Sequence, residues 1–378
     1  MAPMVLVPAL MPLRLADVLG SCHMAVLGQE NPLGLSRVNK AAVLVVDGLG
    51  ATNLRDRKGH ARWLHSAWSS RNLVADSGFP STTASALTSL TTGVGAGRHG
   101  IVGYTIRDPR SGELINHLKD WAPHVDPDTW QLQPTIFEVA ARQGIPSLAL
   151  GEARFSGSDF TKAVWRGATF RGAKTLEEQA EAMREFFDGN ARALAYLYWP
   201  ALDRTGHSQG VASESWTHRL EELDSALANI STMLREDEGL IITADHGMID
   251  VPEEHKLIVP EGSPLLQNVI VWGGEPRVPQ LYVDTPDALA DVQAAWEEGL
   301  GGGAKVMTRE QLMDEGWLGP LADGVLERVG DITVACIASL VAYRESRASP
   351  TSMAMVGQHG SLTSREREIP VIPTGAWA

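Results

Sequence analysis

The chain has 378 residues, with 46 Asp or Glu against 32 Lys or Arg, so its formal net charge at pH 7 is −14. This charge argues against binding to long nucleic acid, whose phosphates would be repelled. A small anionic substrate is still compatible with it, provided that metal ions supply local positive charge. The length suits one large core with a smaller lobe.

The N-terminal segment, residues 1–20, is apolar, but it has no positive region before its hydrophobic stretch and prolines interrupt it. We therefore expect no secretory signal, and we expect this segment to pack along the domain. No apolar run reaches the length of a membrane-spanning helix, so the predicted protein is cytoplasmic and has no membrane partner. Cys22 and Cys336 form no metal or redox motif and are expected to be buried.

Strand-like and helix-like segments alternate, which predicts an α/β fold with a doubly wound, mostly parallel sheet and helices on both faces. The aliphatic run at 43–46 is typical of a buried parallel strand, and a helix is expected to begin near Thr82 or Thr83. The later predicted elements are a helix at 134–144, a strand at 146–151, a helix after a capping box at Thr175 and Glu178, a strand at 193–199, a helix at 220–236 and a strand at 240–243.

Residues 280–319 differ in pattern and predict a strand, a helix, a Gly-rich turn, a strand and a helix capped by Thr308 and Gln311. They carry no cluster of metal-type residues. We predict one catalytic domain over residues 1–378, in which residues 275–325 form a small inserted α+β lobe that bounds the substrate cleft.

Four short loops that contain glycine carry carboxylate and imidazole side chains, which are ligands of Zn²⁺. The loops are VLVVDGLG at 43–50, LDRTGH at 202–207, IITADHGM at 241–248 and VGQHG at 356–360. Open α/β sheets bind ligands at the carboxyl ends of their strands. We therefore predict two metal ions, of which one is bound by Asp47, Asp245 and His246 and the other by Asp203, His207 and His359.

Each of these residues also has a purely structural interpretation. An Asp at the end of a strand is often a turn residue, and Ser81, Thr82 and Thr83 are all candidate helix N-caps. A threonine hydroxyl at this helix start meets the positive end of the helix dipole, and if the metals are present it is also coordinated. A coordinated hydroxyl loses its proton more easily and can then attack phosphorus.

The four loops, together with PSTTASALTSLTTGVGAGRHGIVGY at 80–104, resemble the type I phosphodiesterase and nucleotide pyrophosphatase family of the alkaline phosphatase superfamily. The resemblance runs from about residue 40 to residue 360 and implies an alkaline-phosphatase-like fold. It also implies that Thr83 is the nucleophile and a metal ligand, with Thr82 as the alternative, and that a phospho-threonine intermediate forms. The implied cofactors are two Zn²⁺ ions, with Mn²⁺ as an alternative, and the implied substrate is a small phosphate ester or nucleotide.

Two residues bear on the substrate. Tyr104 stands where relatives of this family carry an Asn that binds a phosphate oxygen, and its phenol either donates one hydrogen bond to that oxygen or serves only in packing. Arg154 is the one basic candidate in the segment where monoesterases place a Lys and an Arg. It either holds an oxygen of the phosphate or forms a structural ion pair.

Three other functions compete with a phosphodiesterase. One is a phosphomonoesterase or phosphonate hydrolase of the same superfamily. A manganese-dependent phosphomutase is disfavoured, because those enzymes usually use Ser as the nucleophile. A non-catalytic metal-binding protein is also disfavoured, because structural zinc sites are usually closed and rich in Cys. The oligomeric state is not predicted.

Overall fold

The structure is a computed structural model that describes residues 4–6, 11–119 and 121–378. The predicted packing of the N-terminal segment concerns in part residues 1–3 and 7–10, which lie outside this range. Within it, none of the helices combines the length and the apolar character needed to cross a bilayer. Cys22 and Cys336 are both buried, as predicted.

The strands in chain order are β1 (Lys40–Val46), β2 (Leu73–Asp76), β3 (Thr105–Arg107), β4 (Leu114–Asn116), β5 (Ser147–Gly151), β6 (Thr169–Gly172), β7 (Ala193–Trp199), β8 (Glu238–Thr243), β9 (Ile249–Asp250), β10 (Lys256–Val259), β11 (Val269–Glu275), β12 (Val278–Val283), β13 (Ala304–Thr308), β14 (Ile332–Cys336), β15 (Val341–Arg344), β16 (Gly357–Gln358) and β17 (Glu368–Gly375).

The α-helices in chain order are α1 (Ala16–Leu27), α2 (Ala51–Asp56), α3 (Arg62–Ser69), α4 (Thr83–Thr92), α5 (Ala96–His99), α6 (Pro127–Trp130), α7 (Ile136–Arg142), α8 (Asp159–Val164), α9 (Leu176–Asp188), α10 (Ala201–Gln209), α11 (Glu214–Thr232), α12 (Leu289–Leu300), α13 (Arg309–Asp314), α14 (Pro350–Met353) and α15 (Ser364–Arg367).

The central sheet has the strand order β2-β17-β8-β1-β7-β5-β6 in the described part of the chain. Its strands are parallel except β17, which runs antiparallel to both β2 and β8. Every residue of β1, β7 and β8 is buried, because both faces of the sheet are covered. The predicted mostly parallel α/β sheet is confirmed.

Most predicted elements occur with small changes at their ends. The 193–199 strand has the predicted bounds, and both capping-box hydrogen bonds form at Thr175 and Glu178. The 220–236 helix instead begins at Glu214, because the Ser213 side chain accepts the Trp216 N–H and caps the helix earlier.

A second sheet, with the order β11-β12-β14-β13, contains the region predicted as a small lobe. Its strand, helix, strand and capped helix occur in the predicted order as β12, α12, β13 and α13. The sheet spans Val269–Cys336, so it begins before residue 275 and ends after residue 325. That 275–325 is a separate cap lobe stays a prediction.

Two glycines bring the loops after β1 and β8 into contact. A Cβ atom at Gly50 would lie 2.7 Å from the Gly247 Cα, and one at Gly247 would lie 2.8 Å from the Gly50 Cα and would also overlap the Arg365 carbonyl oxygen. Only glycine permits this backbone approach. The contact holds the loop after Asp47 against the loop that carries His246.

We expect Gly247→Ala to lower the free energy of unfolding by about 1–3 kcal/mol, because the added methyl group has no room without a backbone shift. Gly59→Ala is the matched control, since a Cβ there would meet nothing within 4 Å. Urea denaturation of both variants measures the difference. Equal stability of the two variants would contradict the tight contact between the loops.

Candidate metal centre

The site lies at the carboxyl ends of three neighbouring strands. Asp47 follows β1 directly, and its N–H donates to the Trp199 carbonyl oxygen at 3.1 Å, which continues the pairing of β1 with β7. Asp245 and His246 follow β8, and Asp203 lies in the first turn of α10, after β7. The strand order therefore places these side chains together, as ligand sites of open α/β sheets require.

Gly48 allows the loop after β1 to approach α10 closely. Its φ is +78°, and a Cβ there would lie 3.2 Å from the Asp203 Cα. The Gly48 N–H donates to Asp245 Oδ1 at 3.2 Å, and the His246 N–H donates to the same oxygen at 3.1 Å. One oxygen of Asp245 is thus bound to backbone, while the other is left for the site.

The remaining imidazoles come from α10 and from the segment after β16. Asp203 and His207 are four residues apart on α10, as predicted for a helical turn, and His207 Nε2 lies 3.3 Å from Asp203 Oδ1. His359 follows β16, which pairs with β9 just after the His246 loop. The rings of His246 and His359 stack with their centroids 3.5 Å apart.

Two groups of three side chains have ligand atoms within 4.8 Å of one another in the described part of the chain. One group is Asp203, His207 and His359, which matches one predicted set. The other is Asp47, Asp203 and His246, so Asp203 belongs to both groups. Asp245, which was predicted to share an ion with Asp47 and His246, lies beside this group. Its Oδ2 is 3.5 Å from His246 Nε2.

The donor atoms are oriented as metal ligands require. Asp47 Oδ1, Asp203 Oδ1 and Asp245 Oδ2 are buried and have no hydrogen-bond partner among the described residues, which is costly for carboxylate oxygens unless a cation balances them. The Nδ1 atoms of the three histidines face carbonyl oxygens, those of Ser81, Gly247 and Gly357, at 2.8–3.1 Å. Donation from Nδ1 leaves each Nε2 lone pair free for a cation.

The pKa values show an excess of buried negative charge. Burial and the charge of Asp47 raise the pKa of Asp203 to about 6, and burial with the same neighbour raises the pKa of Asp245 well above its usual value. Burial lowers the pKa of His246, but Asp245 and Asp47 outweigh it and raise the value to about 10. A cation placed here would relieve the same repulsion.

Thr83 begins α4 at the edge of this cluster. Thr82 is the N-cap residue, so Thr83 is the first helical residue, as predicted. The Thr83 hydroxyl lies 3.1 Å from His246 Nε2. Both threonines line the cavity that opens onto the site, but it is the Thr83 hydroxyl that contacts a candidate ligand.

The cavity over the site has a volume of about 590 Å³ and is lined by Asp47, Asp203, His207 and His359 among others. Both predicted substrate residues, Tyr104 and Arg154, also line it. The Arg154 Nε donates to Glu152 Oε2 at 2.7 Å, so the ion pair considered from the sequence does form. Its role and that of Tyr104 toward a substrate stay predictions.

Sequence reasoning missed two residues of the site. The buried Tyr198 hydroxyl donates a short hydrogen bond to Asp47 Oδ2, which leaves Oδ1 of that carboxylate for a cation. Glu275 lines the cavity from the end of β11, which is remote in sequence from the four loops. Nothing in the strand patterns around either residue distinguishes it from its neighbours.

Solved structures share the fold of this chain. Murine ectonucleotide pyrophosphatase/phosphodiesterase 5, in an inactive threonine-to-alanine form in complex with AMP, is 17% identical with a TM-score of 0.69, over 89% of this chain and 88% of that one. The human protein of the same name is 19% identical with a TM-score of 0.66, over 89% and 88%. The predicted alkaline-phosphatase-like fold is confirmed.

A sequence relative and a family model give more specific information. Phosphopentomutase of Clostridioides difficile (strain 630) is 30% identical over 143 residues, which are 36% of this chain and 33% of that protein. The chain thus matches about a third of that relative. The model of type I phosphodiesterase / nucleotide pyrophosphatase matches residues 41–362, which include every residue of both cation-ligand groups. The chain belongs to this family of phosphoric ester hydrolases.

Proposed function

We propose that this protein hydrolyses small phosphodiesters or nucleotide pyrophosphates with Thr83 as the nucleophile and two zinc ions as cofactors. The observation that carries the proposal is the position of the Thr83 hydroxyl, which lies 3.1 Å from His246 Nε2 and in the lining of the cavity that Asp203, His207 and His359 also line. The AMP bound by the murine relative supports a nucleotide as one substrate. We also propose that the protein is cytoplasmic.

The donor set supports zinc. Asp203, His207 and His359 supply one carboxylate and two imidazoles, which Zn²⁺ accepts, and the group leaves room for a further ligand. When bound, two such ions lower the pKa of a coordinated hydroxyl or water and stabilise both apical oxygens of an in-line displacement.

Thr83 carries out the chemical step in this proposal. Its Oγ1 gives up its proton to solvent and forms a bond to phosphorus while the bond from phosphorus to the leaving oxygen breaks. The leaving group takes up a proton from solvent, and a phospho-threonine remains. A water molecule then attacks the phosphorus, the bond to Oγ1 breaks, and Thr83 recovers its proton. Thr83 lies at the first turn of α4, where the helix dipole favours the negative charge that develops on the phosphoryl group.

The pairing of the two arginines that line the cavity favours a diester substrate over a monoester substrate. A monoester dianion requires more positive charge than a diester. Arg154 and Arg204 both line the cavity, but both bind Glu152, at 2.7 and 2.6 Å. Because the Glu152 carboxylate offsets part of the charge of both arginines, they add little positive charge to that of the metal ions.

A mutase is the second candidate, because the partial match to a phosphopentomutase favours it. It would leave the phosphoryl group on Thr83 until a sugar phosphate accepts it. Conversion of a sugar phosphate into its isomer, without release of inorganic phosphate, would support that alternative over hydrolysis.

Thr83→Ala is expected to lower kcat about 10³-fold or more, since the nucleophile is lost, while Thr83→Ser retains a hydroxyl and keeps measurable activity. Thr82→Ala is the matched control and should retain most activity. Mass spectrometry of acid-quenched turnover mixtures should find a phosphoryl group on the Thr83 peptide. Full activity of Thr83→Ala would exclude this nucleophile.

Metal analysis tests the sharing of Asp203. The wild type should contain two equivalents of zinc, His207→Ala about one, and Asp203→Ala none, because Asp203 belongs to both groups. His218→Ala removes an exposed histidine of α11 and should leave the zinc content unchanged. Retention of one zinc ion in Asp203→Ala would show that the two groups bind independently.

Substrate preference separates the diester and monoester functions. We expect kcat/KM for bis(4-nitrophenyl) phosphate to exceed that for 4-nitrophenyl phosphate by about tenfold or more, because Arg154 and Arg204, the arginines of the cavity lining, are already paired with Glu152. Steady-state kinetics of the zinc-loaded protein gives both values. A preference for the monoester would identify a phosphomonoesterase.

A further inference from the structure

A second cavity, of about 430 Å³, adjoins the cavity over the metal centre. The two cavities lie side by side and share part of their lining, here called the neck. The shared residues are Tyr104, Lys119, Glu275, Pro276, Ser349 and Ser352. Beyond this neck the second cavity is lined by Trp272, Asn116 and Arg347, and it contains none of the candidate cation ligands.

Glu275 is a buried polar group at the neck that is not fully satisfied. The residue is 7% exposed, and its Oε2 accepts the Tyr104 N–H at 2.9 Å. Its Oε1 is buried without a hydrogen-bond partner among the described residues. A buried oxygen without a partner is costly, and Glu275 belongs to the lining of both cavities, so a ligand group at the neck would supply the missing partner.

The rim of the second cavity is cationic although the whole chain is acidic. Lys119 and Arg347 are exposed and form no ion pair within 4.0 Å in the described ranges. Arg344, which also lines this cavity, is bound to Glu261 through two hydrogen bonds at 2.8 and 2.9 Å. The charge of Arg347 contributes to the lowered pKa of Glu261.

We propose that the second cavity binds a substituent of the substrate phosphate that bears hydroxyl groups and a second anionic group. A hydroxyl would pair with Glu275 Oε1, which suits either protonation state of the carboxyl because a hydroxyl both donates and accepts. The distal anion would bind Lys119 and Arg347. This inference rests on the proposed function and specifies its substrate class as hydroxylated esters with a second phosphate.

Calorimetry of the zinc-loaded protein with three related ligands tests the hydroxyl contact and the anion contact separately. The ligands are 2′,3′-dideoxyadenosine 5′-monophosphate, AMP and adenosine 3′,5′-bisphosphate, which differ stepwise by the ribose hydroxyls and by one phosphate. We expect each step to tighten binding by about tenfold in the wild type. The second step should weaken as salt is added, because exposed charges are screened.

Variants assign the two steps to their residues. The double variant Lys119→Ala with Arg347→Ala should bind AMP and the bisphosphate equally, whereas Lys58→Ala, an exposed lysine outside both cavities, should keep the tenfold difference. Glu275→Leu should remove the preference for AMP over the dideoxy ligand. Glu275→Gln keeps an acceptor for the Tyr104 N–H and should restore most of that preference.

The outcomes separate this inference from the proposed function. If the wild type hydrolyses bis(4-nitrophenyl) phosphate but binds all three ligands equally, the second cavity is not a subsite and the hydrolase proposal stands. If the Glu275→Leu variant and the Lys119→Ala, Arg347→Ala double variant keep both ligand preferences, the subsite proposal is also wrong. If the stepwise preferences occur without hydrolysis of any diester, the proposed function fails and the subsite stands.

Discussion

Repulsion between buried carboxylates is the constraint on which the site depends. Asp47, Asp203 and Asp245 are at most 9% exposed, and each presents an oxygen without a hydrogen-bond partner among the described residues. Charges this close repel strongly in a low-dielectric interior. Their burial is therefore stable only with nearby positive charge, which the proposed cations would supply.

The scaffold brings this charge together through close backbone contacts. Asp47 and Asp245 follow adjacent buried strands, and Gly48, Gly50 and Gly247 let their loops approach one another and α10 without side-chain interference. The hydrogen bonds from Gly48 and Tyr198 each occupy one carboxylate oxygen. The other oxygens are thereby left for the proposed cations, and outer hydrogen bonds commonly have this effect in metal sites.

The second sheet affects the substrate side of the same site. Glu275 is the last residue of β11, just before the short turn that leads into β12. Its Oε2 accepts a hydrogen bond from the Tyr104 N–H. A Cβ at Gly360, next to His359, would lie 2.9 Å from the Glu275 Cγ, so the glycine allows this carboxyl to pack beside the metal centre. In the proposed function, the loops of the central sheet thus provide the reacting groups, and the second sheet shapes the space for the rest of the ester.

The sequence predicted most strands and helices, the residue types of the candidate ligands and the start of α4. These features depend on residues that are close together in the chain. The apolar runs of β1 and β7 and the capping boxes at Thr175 and Thr308 are local signals. The earlier start of α11 was missed because Ser213 lies outside the apolar pattern that marked the helix.

Only the tertiary structure decided how the ligands are shared. The sequence suggested two separate sets of three, whereas Asp203 lies in both groups because β7 borders β1, and strand order is not encoded in local pattern. Tyr198 and Glu275 could not be predicted from the sequence for the same reason. Each forms its hydrogen bond in the site with a residue more than 150 positions away in the chain. Local chemistry in the sequence therefore determined which residues could act, and packing between distant segments determined which of them meet.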